Sequence, residues 1–241
     1  MKKARPGGTA KARRTVVLVF GESEHDRRAI RHLVEGLRPD LVGAVETRHQ
    51  PLVLLKKATP EKARDNAHRI ADLVRQEMAT RTVLAVLAHE DCDAVEPAHL
   101  AVAARIETEL ENACCPAKAI AVAPAWEIEA WWMAFPEAVG KVVKGWREPD
   151  DWIGRNVGTV TDAKERLAHA VQPRPKLPSP PRAYEEHDSI AIAANMVTDA
   201  LLPSFQAGRR ASHARSGTPQ HTRSASFEAF RCKVLAIPGR P

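Results

Sequence analysis

Four short apolar runs, each followed by a stretch of helical periodicity, restrict most severely what this chain can fold into. Thr15–Phe20 is β-branched, ends at Gly21 and predicts a buried strand. Ile30, Leu33, Val34 and Leu37 then recur at i, i+3, i+4 and i+7, which predicts an amphipathic helix over 25–37. A second strand is expected over 51–55, followed by a helix that Pro60 opens and that runs to about residue 79, with Ile70, Val74 and Met78 on one face. The third run, 82–88, is the clearest strand and leads through His89-Glu90-Asp91-Cys92-Asp93 into a helix over 97–112. The fourth, 118–123, precedes an expected helix over 126–135. Strands alternating with helices of this length give an α/β fold, a parallel sheet flanked by helices. Ligands of such sheets sit beyond the carboxyl ends of the strands, and Glu22, Asp91 and Glu127 lie just past three of those ends.

Beyond Phe135 the pattern loosens. Residues 136–171 read as short helices and loops, and five prolines within 172–181 make an extended strap. A helix returns over 189–202, and a polar Arg/Ser stretch, 207–226, precedes a last helix carrying Phe227, Phe230 and Val234. The chain therefore divides into a basic flexible tail (1–14), an α/β core (15–135), and a mostly helical C-terminal extension (136–241) with a Pro-rich strap (172–182) and a basic C-terminal segment. A length of 241 residues suits one domain with appendages. No run of eighteen apolar residues occurs, so no membrane-spanning helix is expected. The N-terminus continues into Lys11, Arg13 and Arg14 and does not read as a secretory signal, and four cysteines make no disulfide scaffold, so the expected compartment is the cytoplasm.

Charge is unevenly placed. Residues 1–14 hold six Lys/Arg and no acid, and residues 204–241 hold seven against Glu228 alone, whereas the body carries 23 basic and 29 acidic residues. Basic ends can bind phosphates through counterion release, or can be solvated tails. In the body, Glu22, Glu24 and Asp26 crowd one strand-to-helix turn; Ser23 or Asp26 can cap the helix there, but a cap needs fewer acids. Asp91 and Asp93 form an Asp-x-Asp after the strongest strand, with Glu90 beside them. Such oxygen-only ligands suit Mg²⁺, although an acidic loop capping the helix near Pro97 would look the same. Glu127 and Glu129 flank a stripe of Ile128, Trp131, Trp132 and Phe135 that reads as core, so one of the two can approach the same edge. His89-x-x-Cys92 has no matching second pair for a metal, and no Walker loop, dinucleotide fingerprint or Gly-x-Ser-x-Gly elbow is present.

The order of Gly21-Glu22-Ser23-Glu24, Asp91-Cys92-Asp93 and Trp126-Glu127-Ile128-Glu129-Ala130-Trp131, each after a strand, resembles the TOPRIM-like proteins of bacterial defence loci, in particular the RloB-like group and related uncharacterised proteins. Tyr184, Asp188 and the Ser226-Phe227-x-x-Phe230 segment are similar to that group's closing pattern, so the resemblance spans roughly 15–235. It implies a TOPRIM-like fold and Mg²⁺ (or Mn²⁺) held for phosphodiester chemistry, with Asp91 and Asp93 as ligands. The family's usual Glu-Gly is here Phe20-Gly21. Either Glu22 takes the first ligand role from a remodelled turn, or that ligand is lost.

The resulting expectation is a cytoplasmic Mg²⁺-dependent nuclease, a phosphodiester hydrolase of antiviral defence. Glu22, Asp91 and Asp93 would bind metal, and Glu127 or Glu129 would serve as a further ligand or general base. Arg209, Arg210 and Arg223 would hold the nucleic-acid backbone, DNA or RNA. The rival expectation is a non-catalytic subunit of the same fold that binds an ATPase partner encoded nearby or a phage trigger. A third is a nucleic-acid-binding module that works through its basic ends and needs no metal.

Overall fold

The strand-and-helix pattern of the first half produces a four-stranded, all-parallel sheet in the computed structural model, which describes residues 13–48, 58–173, 179–213 and 218–240. Strands β1 (Thr15–Phe20), β2 (Val45–Thr47), β3 (Thr82–His89) and β4 (Lys118–Val122) lie in the order β2-β1-β3-β4. β1 is central, and Val16 through Phe20 are fully buried, as expected of a strand covered on both faces. The expected strand at 51–55 lies outside the described residues, as do 1–12 of the basic tail and 174–178 of the strap. The strand that does pair with β1 is Val45–Thr47, whose three residues are too short to show an alternation.

Alternate side chains of the sheet feed two cores. Val16, Leu18, Phe20, Val86 and Ala88 pack with α2 (Pro60–Met78) and α3 (His99–Asn112) through Ile70, Val74, Ile106 and Leu110. Val17, Val19, Ala85, Leu87, Ile120 and Val122 face the other way, onto α1 (Glu24–Leu37) and onto much of the chain beyond β4. Between β1 and β3 the register steps: Val16 pairs with Val83 but Val17 with Ala85, so Leu84 is an extra residue in β3.

The expected helix over 126–135 is broken up. Only Glu129–Trp132 (α4) is α-helical, and α5 (Pro136–Gly140) begins anew. The cause is local, because Pro136 disfavours helical geometry at Phe135 (φ −131°, ψ 60°) and Trp126 is held at φ 59°. Trp131, Trp132 and Phe135 are fully buried, as their stripe predicts.

Three further helices follow, α6 (Ala163–Ala170), α7 (Asp188–Thr198) and, later, α8 (Ala225–Leu235). α7 lies along α1, and Gly36 allows the approach, since a Cβ there would come within 2.5 Å of Val197 Cγ2. α8 starts at Ser224, whose Oγ accepts the Phe227 N–H at 3.2 Å. The extension is mostly helical, as expected, with one addition. The polar stretch before α8 forms an antiparallel sheet of β5 (Phe205–Gln206), β6 (Arg209–His213) and β7 (Pro219–Arg223). Its tight turn places Ala207 and Gly208 at φ 50° and 74°, the left-handed pair that a two-residue hairpin needs. Among the described residues no helix is long and apolar enough to cross a membrane.

Trp131 and Trp132 each bury an indole N–H, and each finds a serine. Trp131 Nε1 donates to Ser226 Oγ of α8 and Trp132 Nε1 to Ser189 Oγ of α7, both at 3.0 Å. Ser226→Ala would leave the Trp131 donor buried without an acceptor. The expected loss is about 1–3 kcal/mol of stability, read as a lower urea midpoint at unchanged slope.

Candidate functional site

Three strand ends deliver acids to one edge of the sheet. After β1 the chain turns through Gly21, and Ser23 caps α1 by accepting the Asp26 N–H at 3.1 Å while its hydroxyl donates to Asp26 Oδ2 at 2.6 Å. That bond fixes Asp26, which is nearly buried, toward the sheet edge. Gly21 is required, because a Cβ would meet His89 Cβ at 2.9 Å. Arg27 lies buried beneath the turn with Nη1 donating to the Gly21 carbonyl at 2.7 Å; burial pushes its pKa below the ordinary value.

Asp91 is the hub of the cluster. Its backbone N–H donates to Glu22 Oε1 at 3.3 Å, and its Oδ1 accepts the Ile128 N–H at 3.2 Å. It therefore ties the β1 turn, the β3 end and the loop after β4 together. His89, on the same face of β3 as Ala85 and Leu87, lies beneath it, with Nε2 3.4 Å from Asp91 Oδ1 and Nδ1 4.0 Å from Asp26 Oδ2. Both distances are ion-pair contacts outside hydrogen-bonding geometry. Burial alone would lower the His89 pKa, but Asp91, Asp26 and Glu22 outweigh it and raise it to about 9. The fold thus places a buried imidazole under its carboxylates, whose charges favour its protonated form.

Glu129 is also buried and accepts the Tyr184 hydroxyl at 2.9 Å. The Tyr184 oxygen in turn shares a hydrogen bond with Ser189 Oγ at 2.7 Å. Burial, reinforced by the charges of Asp91 and Asp26, raises the Glu129 pKa to about 8. Glu127 is half-buried and lies at the start of α6, where its Oε2 accepts the Lys164 N–H at 3.0 Å. Burial raises its pKa too, with Asp91 and Glu165 adding to the effect.

Asp93 stands on the rim, exposed, in a left-handed backbone conformation (φ 50°). Its N–H donates to the Trp126 carbonyl, and the Trp126 N–H to the Ala94 carbonyl, which stitches the β3 loop to the β4 loop. Asp91 and Asp93, with Glu90 and Cys92, line one side of a cleft of about 340 Å³ whose other side is Ala101, Val102 and Arg105 of α3.

The structure therefore brings Glu22, Asp91, Glu127 and Glu129 to one edge and sets Asp93 at its lip. Phe20, where the family resemblance expects an acid, is fully buried against α2 and α3. Among the described residues no group of three His, Cys, Asp or Glu side chains is arranged to hold a metal ion. The three arginines expected to bind nucleic acid separate. Arg210 is buried, paired with Glu137, stacked 4.8 Å over the Phe135 ring and donating to the Ala134 carbonyl at 2.8 Å. It is a packing group turned away from solvent, which corrects its expected role; Arg209 and Arg223 are exposed.

Sequence reasoning read Asp26 only as a cap and His89 only as a stray metal ligand. The alternation of β3 holds the missed signal, since His89 continues the inward face and must be buried beside whatever the strand end carries. Comparisons with protein-family models, curated proteins and solved structures give no match.

The raised values set a pH dependence. Glu129 binds its proton more tightly in the folded chain (about 8) than at its ordinary 4.5, so its contribution is complete below 4.5 and is lost as pH rises toward 8. His89 has the same sign, complete below 6.5 and lost as pH rises through about 9. Stability is therefore expected to fall on going from mildly acidic to alkaline pH. Glu129→Gln, which keeps a partner for Tyr184, should flatten the portion below about pH 8 in a series of urea titrations.

Proposed function

We propose that the chain is a TOPRIM-like, Mg²⁺-dependent nuclease acting on phosphodiesters, in the setting of bacterial anti-phage defence that its sequence motifs resemble. One observation carries the reading. Carboxylates from three strand ends crowd the carboxyl edge of a parallel sheet, where Asp91 ties Glu22 to the loop that carries Glu127 and Glu129. Like charges gathered in this way favour any cation that joins them.

The donor set is oxygen-rich and suits Mg²⁺ or Mn²⁺. Glu22, Asp91 and Asp93 are the residues that would hold the ion. Glu22 takes the role that Phe20 cannot, since its carboxylate already reaches the Asp91 backbone. When bound, such an ion stabilises attacking and leaving oxygens and acidifies a water. Arg105, across the cleft from Asp91 and Asp93, is placed to take a phosphate oxygen. Burial raises the Glu129 pKa to about 8 and its Oε1 is engaged by the Tyr184 hydroxyl, which makes it a poorer ligand than the other acids. Glu127 retains one carboxylate oxygen beyond its bond to Lys164 and is the better candidate for the base.

A specific observation favours the rival, a non-catalytic subunit that binds an ATPase partner or a phage trigger. His89 lies beneath the acids within ion-pair distance of Asp91 and Asp26, and Glu22 and Asp91 are held by internal hydrogen bonds. Calorimetric titration with Mg²⁺ and Mn²⁺, paired with a nuclease assay on the same samples, separates the two. Asp91→Ala is expected to abolish metal binding and to lower metal-dependent cleavage by more than about 100-fold. A wild-type protein that binds neither ion would overturn the nuclease reading and leave the interaction subunit.

A further inference from the structure

A cavity of about 410 Å³ lies between α6 and the short turn Asp150–Trp152, and none of its lining residues belongs to the acid edge. Asp162, Glu165, Arg166 and His169 line one side, at the i, i+3, i+4 and i+7 spacing of a single helix face. Asp151 and Trp152 line the other. Arg147 joins the two walls. Its Nε donates to the Ala170 carbonyl at the end of α6 at 3.1 Å, its Nη1 to Asp150 Oδ1 at 2.6 Å and its Nη2 to Asp151. The frame is thus held by the protein's own bonds, so a ligand need not order it.

Both walls carry polar groups that the fold does not use. Trp131, Trp132 and Trp146 each give the indole N–H to an internal acceptor, Ser226, Ser189 and the Arg182 carbonyl. Trp152 is 8 % exposed, about as buried as Trp146, yet its N–H has no acceptor among the described residues and is not sealed from solvent. A free donor on a buried side chain that lines a cavity is directed at what the cavity takes. Across from it, Asp162 and Glu165 have no hydrogen-bond or ion-pair partner among the described residues. Asp162 does not cap α6, because Glu127 takes the Lys164 N–H instead. Arg166 commits only its Nε, to the Thr161 carbonyl at 2.8 Å, and keeps both Nη groups. A solvated helix face would account for the charges of α6 but not for the Trp152 donor.

We propose that this cavity binds a free α-amino acid with a guanidinium side chain, of the arginine type. The open groups are two carboxylates, a pair of guanidinium Nη donors and one indole N–H. A ligand with two cations and one carboxylate answers all of them. Its α-ammonium and side-chain cation pair with Asp162 and Glu165, and its carboxylate accepts from Arg166 and Trp152. A guanidinium suits a carboxylate beside an aromatic ring, since it stacks as well as pairs. A phosphate would meet both carboxylates, and a polyamine would leave Arg166 without an acceptor. The volume lies within the range of small-molecule pockets. The site is independent of the phosphodiester reading and stands whether or not the acid edge binds metal.

The test is titration calorimetry of the full chain with L-arginine, L-citrulline and agmatine at constant ionic strength. L-arginine is expected to bind with millimolar or tighter affinity. Citrulline lacks the side-chain cation and agmatine the carboxylate, so each should bind at least about 10-fold more weakly, the effect of one lost charge-assisted hydrogen bond. Glu165→Gln and Arg166→Gln, both on the exposed face of α6, should each weaken L-arginine by a similar factor at an unchanged urea midpoint. Arg69→Gln, on the exposed face of α2, should bind as wild type does. No binding of L-arginine at millimolar concentration would overturn the proposal. So would citrulline and agmatine bound as tightly as L-arginine, or α6 variants with wild-type affinity.

Discussion

The contact on which the rest of the structure depends is the burial of Trp131, Trp132 and Phe135 in a segment too short to be a proper helix. Trp131 packs against Phe227 and Phe230 at ring distances of 5.2 and 5.1 Å, and Phe135 against Phe205 and Phe227 at 6.1 and 5.5 Å. The indole N–H groups reach serines on two different helices. Rings of this size contribute large apolar areas, and their polar atoms specify which neighbour they accept. One core thus runs from β1 and β3 through this segment into α7, the antiparallel sheet and α8.

The same segment carries the acids. Glu127 and Glu129 sit within a few residues of the tryptophans, so the packing that anchors the C-terminal elements also sets how deeply the carboxylates are buried. Glu129 is kept from water by the wall that holds Trp132 in place, and Ser189 serves both, accepting from the indole and bonding to the Tyr184 hydroxyl. A buried carboxyl of this kind is costly when ionised, and the cluster raises the proton affinity of both His89 and Glu129. Coupling of stability to charge at the site is therefore a property of the core and not of a loop.

Much of this was legible beforehand, because period-2 and period-3.6 patterns report burial directly. Thr15–Phe20, 82–88 and 118–123 read as strands, and α1, α2 and α3 as helices, since each buries a face long enough to show its repeat. Three residues of β2 cannot show a repeat. The antiparallel sheet escaped because its inward positions are Phe205, Arg210 and Thr222, of which only one is apolar; the sheet exists because Arg210 is satisfied by Glu137 and the Phe135 ring, contacts set by tertiary structure. At the site, strand ends located Glu22, Asp91 and Glu127 correctly. The role of Asp26 depended on the Ser23 bond that turns it toward the edge, and that of His89 on the face of β3 from which it leaves.

The two cores differ in when they can close during synthesis. The one beneath α2 and α3 draws on residues from Val16 to Ala121 and is complete once β4 has formed. Its counterpart waits for Phe227, Phe230 and Val234, more than a hundred residues later. Until α8 is made, Trp131 and Phe135 lack the Phe227 and Phe230 rings that cover them in the finished core. The acid edge shares its segment with those rings and takes its final geometry only when they are covered.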